Sequence, residues 1–266
     1  MTEDLVKWEA YPVAMAPDQD YDHIGCFSGS AVEADGKHVL LYTGVSQKDG
    51  KEIQNQCIAL EMGRLMKMED NPVIKGDIMP EKFDRKDFRD PKIWKKDGRY
   101  YCVVGNRYEE NCGQIVLFSS ADYKNWRYEK VLLRNDGKNG DMLECPDYLE
   151  VDGYPVIICS PQNMHAQKYE FHNGHNSIYI IGDAEKEISD FAWEKKRSLD
   201  YGLDFYAPQN NRASGWQADH GRMDEVVGCT CHDKRTEMAG NDDTPKRIKN
   251  QRWENLAKSG ERTGKV

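Results

Sequence analysis

The sequence has 266 residues, of which 38% are hydrophobic and 31% are charged, so it can hold one large domain or two small ones. Its formal net charge of −9 and its pI near 5.4 argue against binding to a phosphate backbone, which requires clustered lysines and arginines. Nucleic acid is therefore not expected as a partner.

No apolar run approaches the ~20 residues that a membrane-spanning helix needs. The first eight residues, Met1–Trp8, are too polar to form a signal peptide. We therefore expect no membrane partner. The eight cysteines are scattered among strand-like runs, which is typical of reduced core thiols. Together these features favour a cytoplasmic location.

A hairpin-like unit occurs three times before residue 160. Each copy has a short apolar strand, an Asp-Gly turn and a second strand rich in β-branched or aromatic residues. The turn glycines are Gly36, Gly98 and Gly153, so the repeat is roughly 55 to 62 residues long. Because Asp-Gly provides the positive φ angles of a tight hairpin, repeats of this kind predict an all-β fold of propeller blades. A β-sandwich with similar hairpins is the alternative.

The phase of the repeat predicts which side chains meet. If each Asp-Gly turn follows an innermost strand, residues seven to nine positions before its glycine face one another across the channel. These positions hold 27–29, 89–91 and 144–146. Two carboxylates, Asp90 and Glu144, are therefore expected to converge from different blades. Glycoside hydrolysis uses such a pair, one group to protonate the leaving oxygen and one to support positive charge on the sugar.

Several motifs resemble glycoside hydrolase family 32, the group of invertases and sucrose-6-phosphate hydrolases. The two internal signatures are Phe88-Arg-Asp-Pro-Lys92 and Glu144-Cys-Pro-Asp147. The likeness covers roughly residues 2 to 209, and it includes further stretches in matching order at 3–8, 12–17, 26–30, 42–44 and 199–209. The resemblance implies a five-bladed β-propeller, here incomplete, with the first strand of blade 1 missing.

The same resemblance implies roles for individual residues. Glu144 would be the general acid/base, and Asp90 would stabilise the oxocarbenium-like transition state. Further candidates for substrate binding are Arg89, Phe27, Ser28 and Asp204. The implied reaction is hydrolysis of the fructosyl bond of sucrose or sucrose-6-phosphate with retention of configuration, as in a β-fructofuranosidase. It needs no metal and no cofactor, and the implied partner is a small carbohydrate such as sucrose, sucrose-6-phosphate or a fructo-oligosaccharide.

The nucleophile of the family is an aspartate in an Asn-Asp-Pro-Asn-Gly stretch, upstream of the position of Trp8. This sequence contains no such stretch, and its two Asn-Asp pairs, at 135–136 and 241–242, lack the following proline. Loss of a covalent nucleophile typically costs several orders of magnitude in rate. We therefore expect this chain to be inactive as it stands.

The composition changes after Gln209. Only five of the 57 residues in 210–266 are Leu, Ile, Val or Phe, and no Asp-Gly turn occurs where a fourth copy is due. Reading one base later from Asn210, with one allowed choice of codons, gives Thr-Thr-Glu-Leu-Pro-Asp-Gly and restores that turn. The sequence thus predicts a partial propeller over 1–209 and an out-of-frame, poorly structured tail over 210–266.

Two other functions stay open at this point. One is a five-bladed glycosidase of the arabinan- or xylan-degrading type, which shares an acidic centre. The other is a non-catalytic propeller that binds sugars or proteins, although the presence of both Asp90 and Glu144 favours a hydrolase. Sucrose, sucrose-6-phosphate and fructans are all open as substrates.

Overall fold

The computed structural model describes residue 7 and residues 9–80, 82–109, 111–151, 153–184, 188, 190–211 and 225–227. The predicted out-of-frame tail therefore lies outside the described residues, apart from 210–211 and 225–227. Within these ranges no helix has the length and apolar character required to cross a membrane.

Three antiparallel sheets of four strands follow one another along the chain, and neighbouring strands in each sheet are consecutive in sequence. The first contains β1 (Gly25–Ala34), β2 (Lys37–Lys48), β3 (Lys51–Glu61) and β4 (Leu65–Lys67). The second contains β5 (Phe83–Lys96), β6 (Arg99–Tyr108), β7 (Cys112–Ser120) and β8 (Trp126–Arg134). The third contains β9 (Met142–Val151), β10 (Tyr154–Gln162), β11 (Ile178–Ile181) and β12 (Lys196–Ser198). A further pair is formed by β13 (Gln209–Asn211) and β14 (Glu225–Val227), and short 3₁₀ helices span Gly76–Ile78 and Trp193–Lys195.

This architecture confirms the prediction of an all-β, incomplete propeller. Each four-stranded meander is one blade, and the described residues hold three blades and one additional strand pair. The three sheets are open, and the described residues hold fewer than the five blades that the sequence predicts for the whole fold, as expected for an incomplete propeller.

Asp-Gly turns join the first two strands of the blades, and their backbone angles explain the choice of residues. Asp35 and Gly36 have φ angles of 53° and 72°, and Asp97 and Gly98 have φ angles of 49° and 77°. The third turn contains Gly153 with φ of 82°. Two consecutive residues with positive φ match the right-handed twist of the flanking strands, which is why Asp-Gly is favoured there.

The second blade is buried on both faces. On β6, Val104 packs in a cluster with Leu41 of the first blade, whereas its neighbour Val103 packs in a cluster with Ile157 of the third. Successive side chains of a strand point to opposite faces of a sheet, so a continuous apolar run such as the one in β6 serves both interfaces. The second blade thus packs against both of its neighbours, one on each face.

The interface of the first two blades yields a prediction about stability. Phe118 is fully buried, and its ring centroid lies 6.0 Å from that of Phe88 and 5.9 Å from that of Tyr128. We expect Phe118→Ala to lower the free energy of unfolding by about 3–5 kcal/mol, measured by urea titration with tryptophan fluorescence. Tyr169→Ala is the control, because Tyr169 is 100% exposed. A loss below about 1 kcal/mol for Phe118→Ala would contradict a well-packed interface.

Candidate active site

The innermost strands of the blades are irregular at the positions singled out by the repeat. The register of β1 on β2 shifts between Phe27 and Gly29, and that of β5 on β6 shifts between Arg89 and Lys92. In the third blade the shift lies opposite Cys159, where β9 carries residues 145–146. Such bulges remove residues from the ladder and re-aim their side chains. They are the local reason why polar groups from several blades reach the channel.

Two of the bulges carry a residue in the left-handed conformation directly before a proline. Asp90 has φ of 61° and Cys145 has φ of 47°. Ala207, before Pro208, has the same conformation with φ of 56°. Non-glycine residues with positive φ are uncommon and need support from their surroundings. The structure supplies that support through hydrogen bonds from the neighbouring blade.

A hydroxyl group of the preceding blade holds two of these residues. The backbone N–H of Asp90 donates to Thr43 Oγ1 at 3.1 Å, and the backbone N–H of Ala207 donates to Ser160 Oγ at 3.1 Å. Thr43 and Ser160 occupy the same place in their blades, seven residues after the turn glycine. The contact is therefore a repeated feature of the propeller.

The second blade has Gly105 at that place, so no hydroxyl is available there. The backbone N–H of Cys145 donates instead to Asp90 Oδ2 at 3.0 Å, and the Cys145 thiol lies 3.6 Å from the same oxygen. Cys145 follows Glu144 directly. The structure thus brings Asp90 and Glu144, from different blades, close enough for the charge of Glu144 to act on Asp90.

Asp90 is only 8% exposed, and its environment affects its protonation. Burial raises the pKa of Asp90 above its ordinary value, and the nearby charge of Glu144 raises it further. The hydrogen bond from Cys145 and the charge of Arg89 lower the pKa of Asp90, but they do not outweigh burial. A buried carboxylate of this kind is costly to ionise, which is expected where the charge serves chemistry and not stability.

Both carboxylate oxygens of Glu144 accept hydrogen bonds from protein groups. Arg89 donates to Oε1 from Nε at 3.0 Å and from Nη2 at 2.8 Å. The hydroxyl of Tyr206 donates to Oε2 at 2.7 Å. These contacts fix the orientation of the carboxylate, so its position is set before any substrate binds.

Arg89 is held in place by a second carboxylate. Its Nη1 donates to Asp87 at 2.6 Å, and Asp87 also pairs with Arg107 at 2.7 Å. Burial alone would lower the pKa of Arg89, but its hydrogen bonds and charge interactions with Asp87 and Glu144 raise the pKa above the ordinary value. The guanidinium is therefore permanently charged and sits beside the acid pair.

The sequence did not single out Tyr206 or Asp87. Tyr206 is part of the 199–209 stretch, and burial together with the charge of Glu144 raises its pKa well above the usual range. The sequence does contain a pattern that points to Tyr206, because residues 206–208, like 89–91 and 144–146, have a proline in third place. Asp204, chosen from the same stretch, is exposed at the surface.

Phe27 and Ser28 lie where the phase of the repeat puts them, on the bulge of β1. Both are exposed, and Phe27 presents 45% of its surface to solvent. The candidate site residues therefore divide into two sets. Arg89, Asp90 and Glu144 form one connected network, whereas no contact of Phe27 or Ser28 with that network is seen among the described residues.

The sequence as a whole matches the family to which these motifs point. The model of the N-terminal domain of family 32 glycosyl hydrolases matches residues 1–240, which extends past the predicted end of the propeller at Gln209. The chain therefore belongs to glycoside hydrolase family 32. This result excludes the arabinan- and xylan-degrading families that the acidic centre alone left open.

Curated relatives and solved structures agree. The sucrose-6-phosphate hydrolase of Klebsiella pneumoniae is 37% identical over 228 residues, covering 82% of this chain and 46% of that protein. The sucrose-6-phosphate hydrolase of Bacillus subtilis is 36% identical over 214 residues, covering 78% and 44%. The structure of the Bombyx mori GH32 beta-fructofuranosidase BmSUC1 superposes with a TM-score of 0.72 at 33% identity, covering 85% and 47%. The chain thus spans about half the length of the proteins it matches.

The raised pKa of Asp90 leads to a prediction about pH and stability. Because folding disfavours its charged form, ionised Asp90 destabilises the fold at neutral pH, and this penalty disappears as the pH falls and the carboxyl binds a proton. We expect Asp90→Asn to be more stable than the parent at pH 7, because the asparagine carries no charge that burial disfavours. The difference should shrink towards pH 4.

Urea titrations at pH 4, 5, 6 and 7 measure this effect. The asparagine can still accept the Cys145 N–H, so the backbone contact is kept. Asp77→Asn is the matched control, because Asp77 is exposed and its substitution should change the free energy of unfolding by less than about 0.5 kcal/mol. A less stable Asp90→Asn at pH 7 would show that the charge contributes to folding.

Proposed function

We propose that this chain carries the acid/base and the transition-state-stabilising carboxylates of a β-fructofuranosidase that acts on sucrose or sucrose-6-phosphate. One observation carries the proposal. Asp90 accepts the backbone N–H of Cys145, the residue next to Glu144, which supports a site built from two carboxylates of different blades. The names of the relatives from Klebsiella pneumoniae, Bacillus subtilis and Bombyx mori support a sucrose-like carbohydrate as substrate.

The two acids have different tasks in this reaction. Glu144 donates a proton to the oxygen between the two sugars while the bond from this oxygen to C2 of the fructosyl ring breaks. The fructosyl ring becomes positively charged, and the buried carboxylate of Asp90 stabilises that charge. In the complete reaction a nucleophile, which this sequence lacks, bonds to C2, and Glu144 afterwards removes a proton from the water that breaks this bond and releases fructose. The general acid and the general base are then the same residue.

Tyr206 can stay bonded to Glu144 throughout this cycle. Its hydroxyl has two acceptors within reach, Glu144 Oε2 at 2.7 Å and the backbone oxygen of Ser160 at 3.2 Å. When Glu144 carries a proton on Oε2, the tyrosine hydrogen can turn to Ser160, and the tyrosine oxygen can accept from Glu144. Tyr206 is therefore a positioning residue for both protonation states.

Two further carboxylates lie beside the pair, and both are engaged by cations. Asp87 pairs with Arg89 and Arg107, and Asp147 pairs with Lys92 at 3.2 Å. Neither is free to attack a sugar. Because the sequence also has no Asn-Asp-Pro-Asn-Gly stretch, we propose that these 266 residues alone do not form the covalent fructosyl intermediate.

We also propose a cytoplasmic location. None of the six cysteines in the described part of the chain forms a disulfide, and three of them, Cys57, Cys102 and Cys159, are buried in the core. Reduced core cysteines suit a reducing compartment.

Azide can test the acid/base role without a protein nucleophile. We expect the chain to leave sucrose intact in buffer but to release glucose slowly in about 1 M azide, as the anion attacks C2 and Glu144 protonates the leaving oxygen. The other product is fructosyl azide of inverted configuration. Glu144→Gln should reduce this rate by about 100-fold or more. Glu33→Gln, at an exposed position, is the control.

The azide experiment also tests whether a nucleophile is present and whether the chain is a non-catalytic sugar-binding propeller. Turnover without azide would show that a nucleophile is present after all. Sugar binding without turnover in azide would favour the non-catalytic sugar-binding propeller.

The role of Tyr206 is tested in the same assay. Tyr206→Phe removes the donor to Glu144 Oε2, so we expect the azide-dependent rate to fall by about 10-fold. An azide-dependent rate that is unchanged in Tyr206→Phe would show that the tyrosine hydroxyl does not position Glu144.

A further inference from the structure

The strand that carries Arg89 and Asp90 leaves the regular ladder at the acid pair. β5 is the first strand of its sheet, so β6 pairs with one of its edges, and among the described residues no strand pairs with the other. Its register on β6 shifts between residues 83 and 88 and again between residues 89 and 92. Backbone groups in such a segment need partners other than a neighbouring strand.

Two glutamines of the first blade supply such partners. Gln54 and Gln56 lie two residues apart on β3, so their side chains point to the same face of the sheet. Gln54 Oε1 accepts the backbone N–H of Phe88 at 3.0 Å, and Gln56 Nε2 donates to the backbone oxygen of Phe88 at 2.8 Å. Both glutamines are buried. The residue directly before Arg89 is therefore held by both of its backbone polar groups.

Thr43 extends this contact to the other side of Arg89. Thr43 is the cross-strand partner of Gln56, and its hydroxyl donates to Gln56 Oε1 at 2.8 Å. The same hydroxyl oxygen accepts the backbone N–H of Asp90 at 3.1 Å. Hydrogen bonds thus run from the Phe88 oxygen through Gln56 and Thr43 to the N–H of Asp90. A buried network of this kind favours a single arrangement of the backbone it holds.

The second blade holds the same segment through another side-chain amide. Asn106 Nδ2 donates to the backbone oxygens of Asp84 and Asp87, each at 2.7 Å. Asn106 Oδ1 in turn accepts from Gln114 Nε2 at 2.6 Å. Side-chain amides from two blades therefore fix the backbone of residues 84–90.

We propose that Thr43, Gln54 and Gln56, here called the clamp, are positioning residues for the acid pair. The first blade carries neither acid, yet through the clamp it sets the place of Arg89 and Asp90. The inference rests on the proposed function and deepens it, because it assigns the first blade a part in the same reaction.

The clamp also reaches the acid/base. Arg89 Nη1 donates to Gln54 Oε1 at 3.4 Å, and Arg89 Nη2 donates to Glu144 at 2.8 Å. A displacement of about 1 Å at a catalytic group can reduce a rate by about 100-fold. Loss of the clamp should therefore lower the rate although none of its members touches the reacting atoms.

The azide-dependent cleavage of sucrose by the 266-residue chain tests this role. Gln56→Met keeps the length of the side chain and removes its hydrogen bonds, and Thr43→Val keeps the shape of the side chain and removes the hydroxyl. We expect either change to lower kcat by about 10- to 100-fold. The KM for sucrose should change less, because the charge that Asp90 stabilises develops only in the transition state. Thr43→Ser, which restores the hydroxyl, should restore most of the rate.

The matched control is Asn71→Leu. Asn71 Oδ1 accepts the backbone N–H of Ile58 at 2.7 Å, and its Nδ2 donates to the backbone oxygen of Ile58 at 2.8 Å. This contact is of the same kind and lies in the same blade, but Ile58 is not a neighbour of the acids. Asn71→Leu should lower the free energy of unfolding as the clamp variants do and leave kcat unchanged. Urea titration and circular dichroism establish that each variant is folded under the conditions of the assay.

Hydrogen exchange at the Asp90 amide tests the contact without turnover. Because this N–H donates to Thr43, we expect it to exchange at least about 10-fold faster in Thr43→Val than in the parent. In Thr43→Ser its exchange should stay close to that of the parent. Nuclear magnetic resonance of the ¹⁵N-labelled chain measures both rates.

The possible results separate the clamp from the function on which it rests. A parent that turns over in azide, together with clamp variants of unchanged kcat, would overturn the positioning role and leave the proposed function standing. An equal loss of kcat in Asn71→Leu, a failure of Thr43→Ser to restore the rate, or unchanged exchange of the Asp90 amide in Thr43→Val would overturn it as well. No azide-dependent turnover by the parent would contradict both proposals.

Discussion

The hydrogen bond from the Cys145 N–H to Asp90 Oδ2 joins two blades at the point where chemistry is proposed. Both residues lie on bulges with positive φ, so each has backbone groups outside the ladder that need a partner. The Asp90 carboxylate accepts the N–H of Cys145 in the third blade. The N–H of Asp90 itself donates to the hydroxyl of Thr43. The hydrogen bond therefore fixes the backbone next to Glu144 relative to the carboxylate of Asp90.

The charged side chains around this bond form a continuous series of ion pairs. Arg89 lies between Asp87 and Glu144, and Arg107 pairs with the other oxygen of Asp87. Buried charges are tolerated when they are paired and hydrogen-bonded, and networks of this kind fix one arrangement at some cost in stability. The second blade carries most of these residues, and its burial on both faces provides the rigid support that a preorganised site requires.

The sequence predicted the blades and the meeting of Asp90 with Glu144 for a simple physical reason. An Asp-Gly hairpin fixes the phase of the strand before it, so counting back from Gly98 and Gly153 reaches equivalent positions. Tyr206 was missed because no Asp-Gly turn follows it from which to count. The partners Thr43 and Gln54 were also beyond prediction, since contacts between blades depend on how the sheets pack and not on a local pattern.

Gly105 explains why this bond occurs between the second and third blades. A Cβ atom at Gly105 would lie 2.3 Å from the backbone oxygen of Leu143, so any side chain there would push the inner strand of the third blade away. The same absence of a side chain removes the hydroxyl that Thr43 and Ser160 provide in the other blades, which leaves the Cys145 N–H to the carboxylate of Asp90. Gly105 thus permits the inner strand of the third blade to approach closely, and it leaves the Cys145 N–H to donate to Asp90. Among the equivalent positions 43, 105 and 160, the one without a hydroxyl is therefore the one next to the acid pair.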